Sequence, residues 1–156
     1  MSVLLKPMNE KERNEYLGHS LKKFALEQVK AGNWQEEEAE QNARAQFEQL
    51  FPEGLSTKEH ILFSVHHEGE PIGILWVYIQ DKNQEKQAYI YDIELDEDQR
   101  GKGLGKATML ALEEYAKSEN IKQIRLHVFA HNQRAIALYK KIGYEMTNHQ
   151  MLKRLP

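Results

Sequence analysis

Hydrophobic and polar positions alternate along this chain with two periods, and the changes of period divide it into elements. Residues 3–6 (Val3, Leu4, Leu5, Lys6) read as a short strand closed by Pro7, which has no N–H to give a ladder. Asn9, with Glu12 three residues on, has the form of a capping box. Leu17, Leu21, Phe24, Ala25 and Gln28 or Val29 follow at helical spacing, which predicts a helix to about Ala31, ended by Gly32. Asn33 and Glu36 repeat the cap signature. Ala39, Ala43, Phe47 and Leu50 then form the apolar stripe of a second helix, stopped by Pro52 and Gly54.

The period then shortens to two. Residues 61–67 and 72–80 predict strands joined by a Gly69-Glu70-Pro71 turn, and the polar residues 81–86 make another turn. In the next strand, 87–95, strict alternation puts Tyr89, Tyr91, Ile93 and Leu95 on one face and Ile90, Asp92 and Glu94 on the other. Two carboxylates side by side on a central strand are costly unless paired or facing a wet cleft. A glycine-rich loop follows. Leu104, Ala107, Thr108, Ala111, Leu112 and Tyr115 mark a helix to about Ser118, and residues 121–129 a further strand. Asn132 caps a last helix with the stripe Ala135, Leu138, Tyr139 and Ile142, ended by Gly143, and residues 144–154 finish the sheet. The order implies an α/β sandwich with a mixed sheet.

Composition narrows the class. With 156 residues, 40% hydrophobic and 29% charged, the chain has the size and balance of one ordinary globular domain. The absence of cysteine removes disulfides, thiol catalysis and cysteine-based metal sites, and is compatible with a reducing cytosol. No run approaches the roughly 18 apolar residues of a membrane helix, and residues 1–7 lack the long apolar segment of a signal peptide. The expectation is a cytoplasmic protein. A formal net charge of −3 argues against a general nucleic-acid binder. Glu36, Glu37, Glu38 and Glu40 read as a solvated face that favours the helix dipole, with attraction of a cationic acceptor as the functional alternative.

The chemistry concentrates in Arg100-Gly101-Lys102-Gly103-Leu104-Gly105-Lys106. A strand that empties through such a loop into a helix gathers free backbone N–H groups at the positive end of the helix dipole, which is an anion site. Arg100, Lys102 and Lys106 add cationic charge. A Walker loop fails here, because Ala107 stands where Ser or Thr must bind Mg²⁺ and Arg100 where its first glycine belongs. The dinucleotide fingerprint fits Gly101 and Gly103 but finds Lys106 at its third glycine. A nucleotide-binding protein is thereby disfavoured.

Arg100, Gly103 and Gly105 do fit [Q/R]-x-x-G-x-[G/A], and with the strand before them and the later segment 126–144 the chain resembles the GNAT acyltransferase superfamily. The resemblance implies a single-domain mixed sheet of about six to seven strands with about four helices and a V-shaped splay between two parallel strands, here 89–95 and 122–129. It further implies an N-terminal acceptor side, 1–58, and a CoA-binding core, 59–156. The pantetheine arm of acetyl-CoA would lie in the splay against the backbone of Ile93 and Leu95, with Glu94 between them. The loop Arg100, Gly101, Lys102, Gly103, Leu104, Gly105 and Lys106 would hold the pyrophosphate, and Asn132 and Tyr139 would contact the thioester end.

The implied reaction is attack of an acceptor amine on the thioester, which needs a base, an oxyanion donor and an acid for the thiolate. Tyr139 is the expected acid, and Glu94 or Asp92 the expected base; Tyr139 packing only in its helix stripe is the alternative. No metal is expected: His127 and His131 lack helical i, i+4 geometry, and His66 and His67 point to opposite strand faces. The acceptor is a small-molecule amine or a protein or peptide amino group. Nucleic acid and membrane are not expected as partners, and a homodimer is possible by similarity. The competing reading is a non-catalytic acyl-CoA-binding or regulatory module of the same fold.

Overall fold

The computed structural model describes residues 2–52 and 59–156. Its elements are β1 (Leu4–Pro7), α1 (Glu10–Lys30), α2 (Glu36–Leu50), β2 (His60–His67), β3 (Glu70–Lys82), β4 (Glu85–Leu95), a 3₁₀ turn (Glu97–Gln99), α3 (Leu104–Ser118), β5 (Ile121–Leu126) and α4 (Gln133–Lys141). The expectation at Gly54 lies outside the described residues.

Asn9 and Glu12 form the capping box of α1: Asn9 Oδ1 accepts from the Glu12 N–H and Glu12 Oε1 from the Asn9 N–H. The start of α2 differs from expectation. Gln35, not Asn33, is its N-cap, with Glu38 Oε1 accepting from the Gln35 N–H. The Asn33 amide is engaged by Gln28 at 2.7 Å instead. Ala25, Ala39 and Ala43 are buried between α1 and α2. Their small side chains let the two helices approach closely.

The sheet runs β1-β2-β3-β4-β5, antiparallel from β1 to β4 and parallel between β4 and β5. Strands β3 and β4 continue through the segment expected as a polar turn and meet at Asn83-Gln84, both at positive φ (53° and 67°). That is the geometry of a tight primed hairpin. On one face Phe63, Val65, Leu75, Val77 and Ile90 pack against Leu104, Met109 and Leu112 of α3, with Tyr139 and Ile142 of α4 at the margin. On the other, Leu62 and Trp76 meet Tyr16 of α1, Phe47 and Leu50 of α2. The architecture is the expected α/β sandwich, with four helices and five strands among the described residues rather than six or seven.

Three departures from the pattern shape the site. Trp76 pairs with Asp92 and the next residue, Val77, with Ile90, so Tyr91 is the extra residue of a β-bulge. The bulge resets the alternation. Ile90, Ile93 and Leu95 join the α3 side, while Tyr91 stacks on Trp76 (5.0 Å between centroids, 30°) and Asp92 meets Tyr16 of α1. The expected face assignment of Tyr91, Ile93 and Leu95 against Ile90 is therefore wrong beyond Ile90. Second, β5 ends at Leu126, not Phe129, and its ladder with β4 stops at Ile90–Leu126. Beyond that pair β4 continues with only β3 as its neighbour, and β4 and β5 part. Third, residues 144–154 form no strand.

Candidate active site

The opening between β4 and β5 lets the two sides of the sheet meet, and side chains from three elements converge on it. From β4, Asp92 and Glu94 point toward α1. Lys23 of α1 bridges them, its Nζ 3.6 Å from Asp92 Oδ1 and 3.1 Å from Glu94 Oε2. The hydroxyl of Tyr16, two turns earlier on α1, donates to Asp92 Oδ2 at 2.5 Å. Asp92 is mostly buried, and burial pushes its carboxyl above the usual range, against the opposing pull of the Lys23 ammonium and the Tyr16 hydroxyl. Burial also raises Tyr16, reinforced by the charge of Asp92. Tyr16 therefore stays a neutral donor.

Tyr139 approaches from α4 on the other side. Its phenol is pushed up to about 12, first by burial and then by the Asp92 carboxylate, which places the two groups within electrostatic reach. Its ring lies 5.9 Å from that of Tyr144, whose buried hydroxyl has no hydrogen-bond partner. Asn132 is the N-cap of α4, but its side chain makes no cap hydrogen bond and is exposed.

The glycine loop lies at the end of β4. Gly101 and Gly103 both have positive φ (78° and 81°), and Gly103 is the N-cap of α3. The first backbone donor satisfied inside this turn is Ala107 N, bonded to Gly103 O at 3.1 Å. Among the described residues no partner is present for the N–H groups of 101–106, the set that a helix start leaves free. Lys102 and Lys106 are exposed and form no ion pair among the described residues. Leu104 sends its side chain into the core, so only its backbone belongs to the loop surface. Arg100 differs from the rest: Nε donates to Leu95 O at 3.0 Å and Nη2 lies 3.9 Å from Glu94, fastening the loop to the strand end.

Gly73 on β3 completes the frame. A Cβ there would stand 2.3 Å from Glu94 O and 2.9 Å from Leu95 Cα. Only glycine lets β3 pass this close behind the backbone of the site strand.

The chain as a whole is similar to known proteins. Residues 21–144 match the model of the acetyltransferase (GNAT) family. The chain belongs to that family. It is 40% identical to the uncharacterized N-acetyltransferase YycN of Bacillus subtilis (strain 168) across 99% of this chain and 100% of the relative. Identity to YdgE of the same organism, another uncharacterized N-acetyltransferase, is 36%, with 99% of each chain covered. The crystal structure of YycN superposes with a TM-score of 0.94 at 39% identity, again covering 99% of both chains. The chain is thus an acyltransferase of the N-acetyltransferase type.

Acetyl-CoA is the donor this family generally uses. The residues present fit such a group: free N–H groups and two lysines without an ion pair among the described residues at the start of α3 suit a pyrophosphate, and the edge of β4 beyond its ladder with β5 suits an amide-bearing arm. No trio of His, Asp or Glu side chains is placed to hold a metal ion among the described residues. The histidines have other partners: His131 Nε2 lies 2.7 Å from Glu27 Oε2, and Ser64 holds His66 at 3.0 Å. No helix among the described residues is long and apolar enough to cross a membrane.

Sequence reasoning reached Asp92, Glu94, Tyr139 and the loop but missed Tyr16 and Lys23. Their signal was available. They stand seven residues apart, on one side of α1, with the buried polar Ser20 between them. Polar groups on the packed side of a helix ask for partners.

Proposed function

We propose that this chain is an acetyl-CoA-dependent N-acetyltransferase that acetylates a primary amine of a small molecule, peptide or protein. One observation carries the reading. Asp92 and Glu94 hold an ammonium, that of Lys23, at the mouth of the opening that Tyr139 enters from the other side. A carboxylate pair that accommodates one primary ammonium has the charge and spacing to receive another, and Lys23, 37% exposed in its side chain, has room to withdraw.

When bound, acetyl-CoA supplies the acetyl group as an activated thioester, held by residues 101–106 and the backbone of Ile93 and Leu95. Asp92 takes the proton that the acceptor must lose to become a nucleophile, and burial makes it a stronger base than an ordinary carboxylate. Tyr16 orients that carboxylate through its hydrogen bond. Tyr139 keeps its proton at neutral pH and gives it to the departing sulfur. Burial raises the proton affinity of a thiolate at the same spot too, so donor and acceptor stay matched.

The exposed acidic start of α2 adds long-range attraction for a cationic acceptor. The test is thiol release from acetyl-CoA in the presence of a panel of primary amines, beside thermal shifts with CoA, ATP and NAD. Amine-dependent release and a shift with CoA alone are expected. Tight CoA binding without turnover on any amine would point instead to a non-catalytic acyl-CoA module.

A further inference from the structure

The bulge in β4 does more than reset the alternation. Consecutive residues of a regular strand face opposite sides. At Tyr91 and Asp92 they do not. Tyr91 stacks on Trp76 (5.0 Å, 30°), and Asp92 accepts from Tyr16, whose ring stands nearly perpendicular to the same Trp76 at 6.3 Å. A phenol ring and a carboxylate adjacent in sequence thus share the α1 side of the sheet.

Tyr91 is the centre of a wider aromatic surface. The rings of Tyr89, His60 and Tyr78 lie 5.2, 5.5 and 6.1 Å from it. Trp76 beneath is 2% exposed and Tyr91 38%, so the surface has a buried base and an accessible outer side. His60 is pinned within it: Nδ1 accepts from Trp76 Nε1 at 3.0 Å, and the ring stacks on Tyr78 (4.6 Å, 29°). An aliphatic side chain would bury Trp76 as well as Tyr91 does. Rings fixed against one another and reachable from outside suit a flat partner, because aromatic groups gain most from offset or edge contact with another ring.

Charge limits what else that partner carries. Asp92 and Glu94 stand at one end of the surface. Arg125 pairs with Tyr89 across the β4–β5 ladder; burial raises the Tyr89 phenol and the nearby guanidinium lowers it. A second ammonium on that flank would meet a like charge.

We propose that the acceptor is an aryl-bearing primary amine, its ring on Tyr91 and its amine at Asp92 and Glu94. The inference rests on the reading of those two carboxylates as the amine site. Adjacent Cα atoms are about 3.8 Å apart, so a linker of about two carbons joins ring and amine.

The full chain is assayed with phenethylamine, cyclohexylethylamine and diaminobutane, which separates stacking from bulk and from charge. The expected kcat/KM for phenethylamine is about tenfold above that for its cyclohexyl counterpart, the worth of a good ring–ring contact, and further above that for the diamine. In Tyr91→Leu the phenyl-to-cyclohexyl ratio should fall toward one. Equal values for the three amines, or a ratio unmoved in Tyr91→Leu, overturn the proposal. If that variant loses its native circular dichroism, Tyr89→Leu reads the same ratio from the edge of the surface. Binding is followed apart from turnover. The chain has two tryptophans, so in Trp34→Phe the emission comes from Trp76 under Tyr91. Phenethylamine is expected to change that emission saturably, and diaminobutane at the same concentrations is not; no change with phenethylamine overturns the proposal. Saturable binding without acetylation of any amine supports the aromatic site and refutes the acetyl-transfer reading. Acetylation without preference for the ring refutes the aromatic site alone.

Discussion

Asp92 is the residue on which the site turns, because it touches partners from α1 and influences Tyr139 from α4. Its proton affinity is raised by burial and lowered by Lys23. If it must be ionised to accept the amine proton, kcat/KM falls on the acid side through its pKa. Removing the Lys23 charge takes away a lowering influence, so Lys23→Met should shift that acid limb to higher pH. Asp92→Asn should abolish the limb and lower kcat by about 10²-fold or more, the usual worth of a general base. A limb unmoved in Lys23→Met would mean that another group titrates. For Tyr139→Phe, kcat should drop by roughly 10²-fold with little change in the KM for acetyl-CoA, since a proton donor to the leaving group acts only in the transition state. An unchanged kcat would reduce Tyr139 to a packing residue of its helix. Legibility at this scale was uneven. Two carboxylates one residue apart on a strand announce themselves, whereas the spacing of Tyr16 and Lys23 on α1 says only that this side of the helix seeks polar partners; helix–sheet packing decides that the partners are on β4.

Among the elements, β4 governs the geometry. Its bulge at Tyr91 turns Asp92 and Glu94 to one side and Ile93 and Leu95 to the other, and its ladder with β5 ends one residue earlier. Alternation gave the strand's place and length to within two residues, but a bulge is a tertiary event that period two cannot announce. The hairpin Asn83-Gln84 was likewise hidden inside a polar run. The capping box of α1 and the glycine start of α3 were readable because their chemistry is local. Gly73→Ala tests the frame at this scale. With Glu94 O at 2.3 Å the new methyl must push β4. Overpacking of this kind costs about 1–3 kcal/mol, or roughly 2–4 °C of Tm for each kcal/mol in a chain of this size. The same displacement moves the backbone of Glu94 and Leu95, so the KM for acetyl-CoA should rise as Tm falls. A lower Tm with an unchanged KM would separate the frame from donor binding.

At the scale of the whole molecule, the sheet serves as a partition with a gap. One layer, α3 with α4, brings the helix start with its free N–H groups and Tyr139. The other, α1 with α2, brings the Lys23 ammonium and the aromatic wall of Trp76, Tyr91, Phe47 and Phe51. In the proposed reaction, donor and acceptor meet where β4 and β5 part. The layered fold could be read from the order of elements, since each amphipathic stretch must bury one face. The fate of residues 144–154 could not, because alternation marks a segment as strand-compatible without saying whether a neighbour is there for it to pair with; the segment forms no strand. The central claim is that the opening brings a thioester donor to a primary amine. Mass spectrometry of the products from acetyl-CoA and a cationic amine tests it most directly. The expected result is free CoA and acetylated amine in equal amounts, both strongly reduced in Asp92→Asn. CoA retained by the protein with no acetylated amine, or equal product from Asp92→Asn, would contradict it.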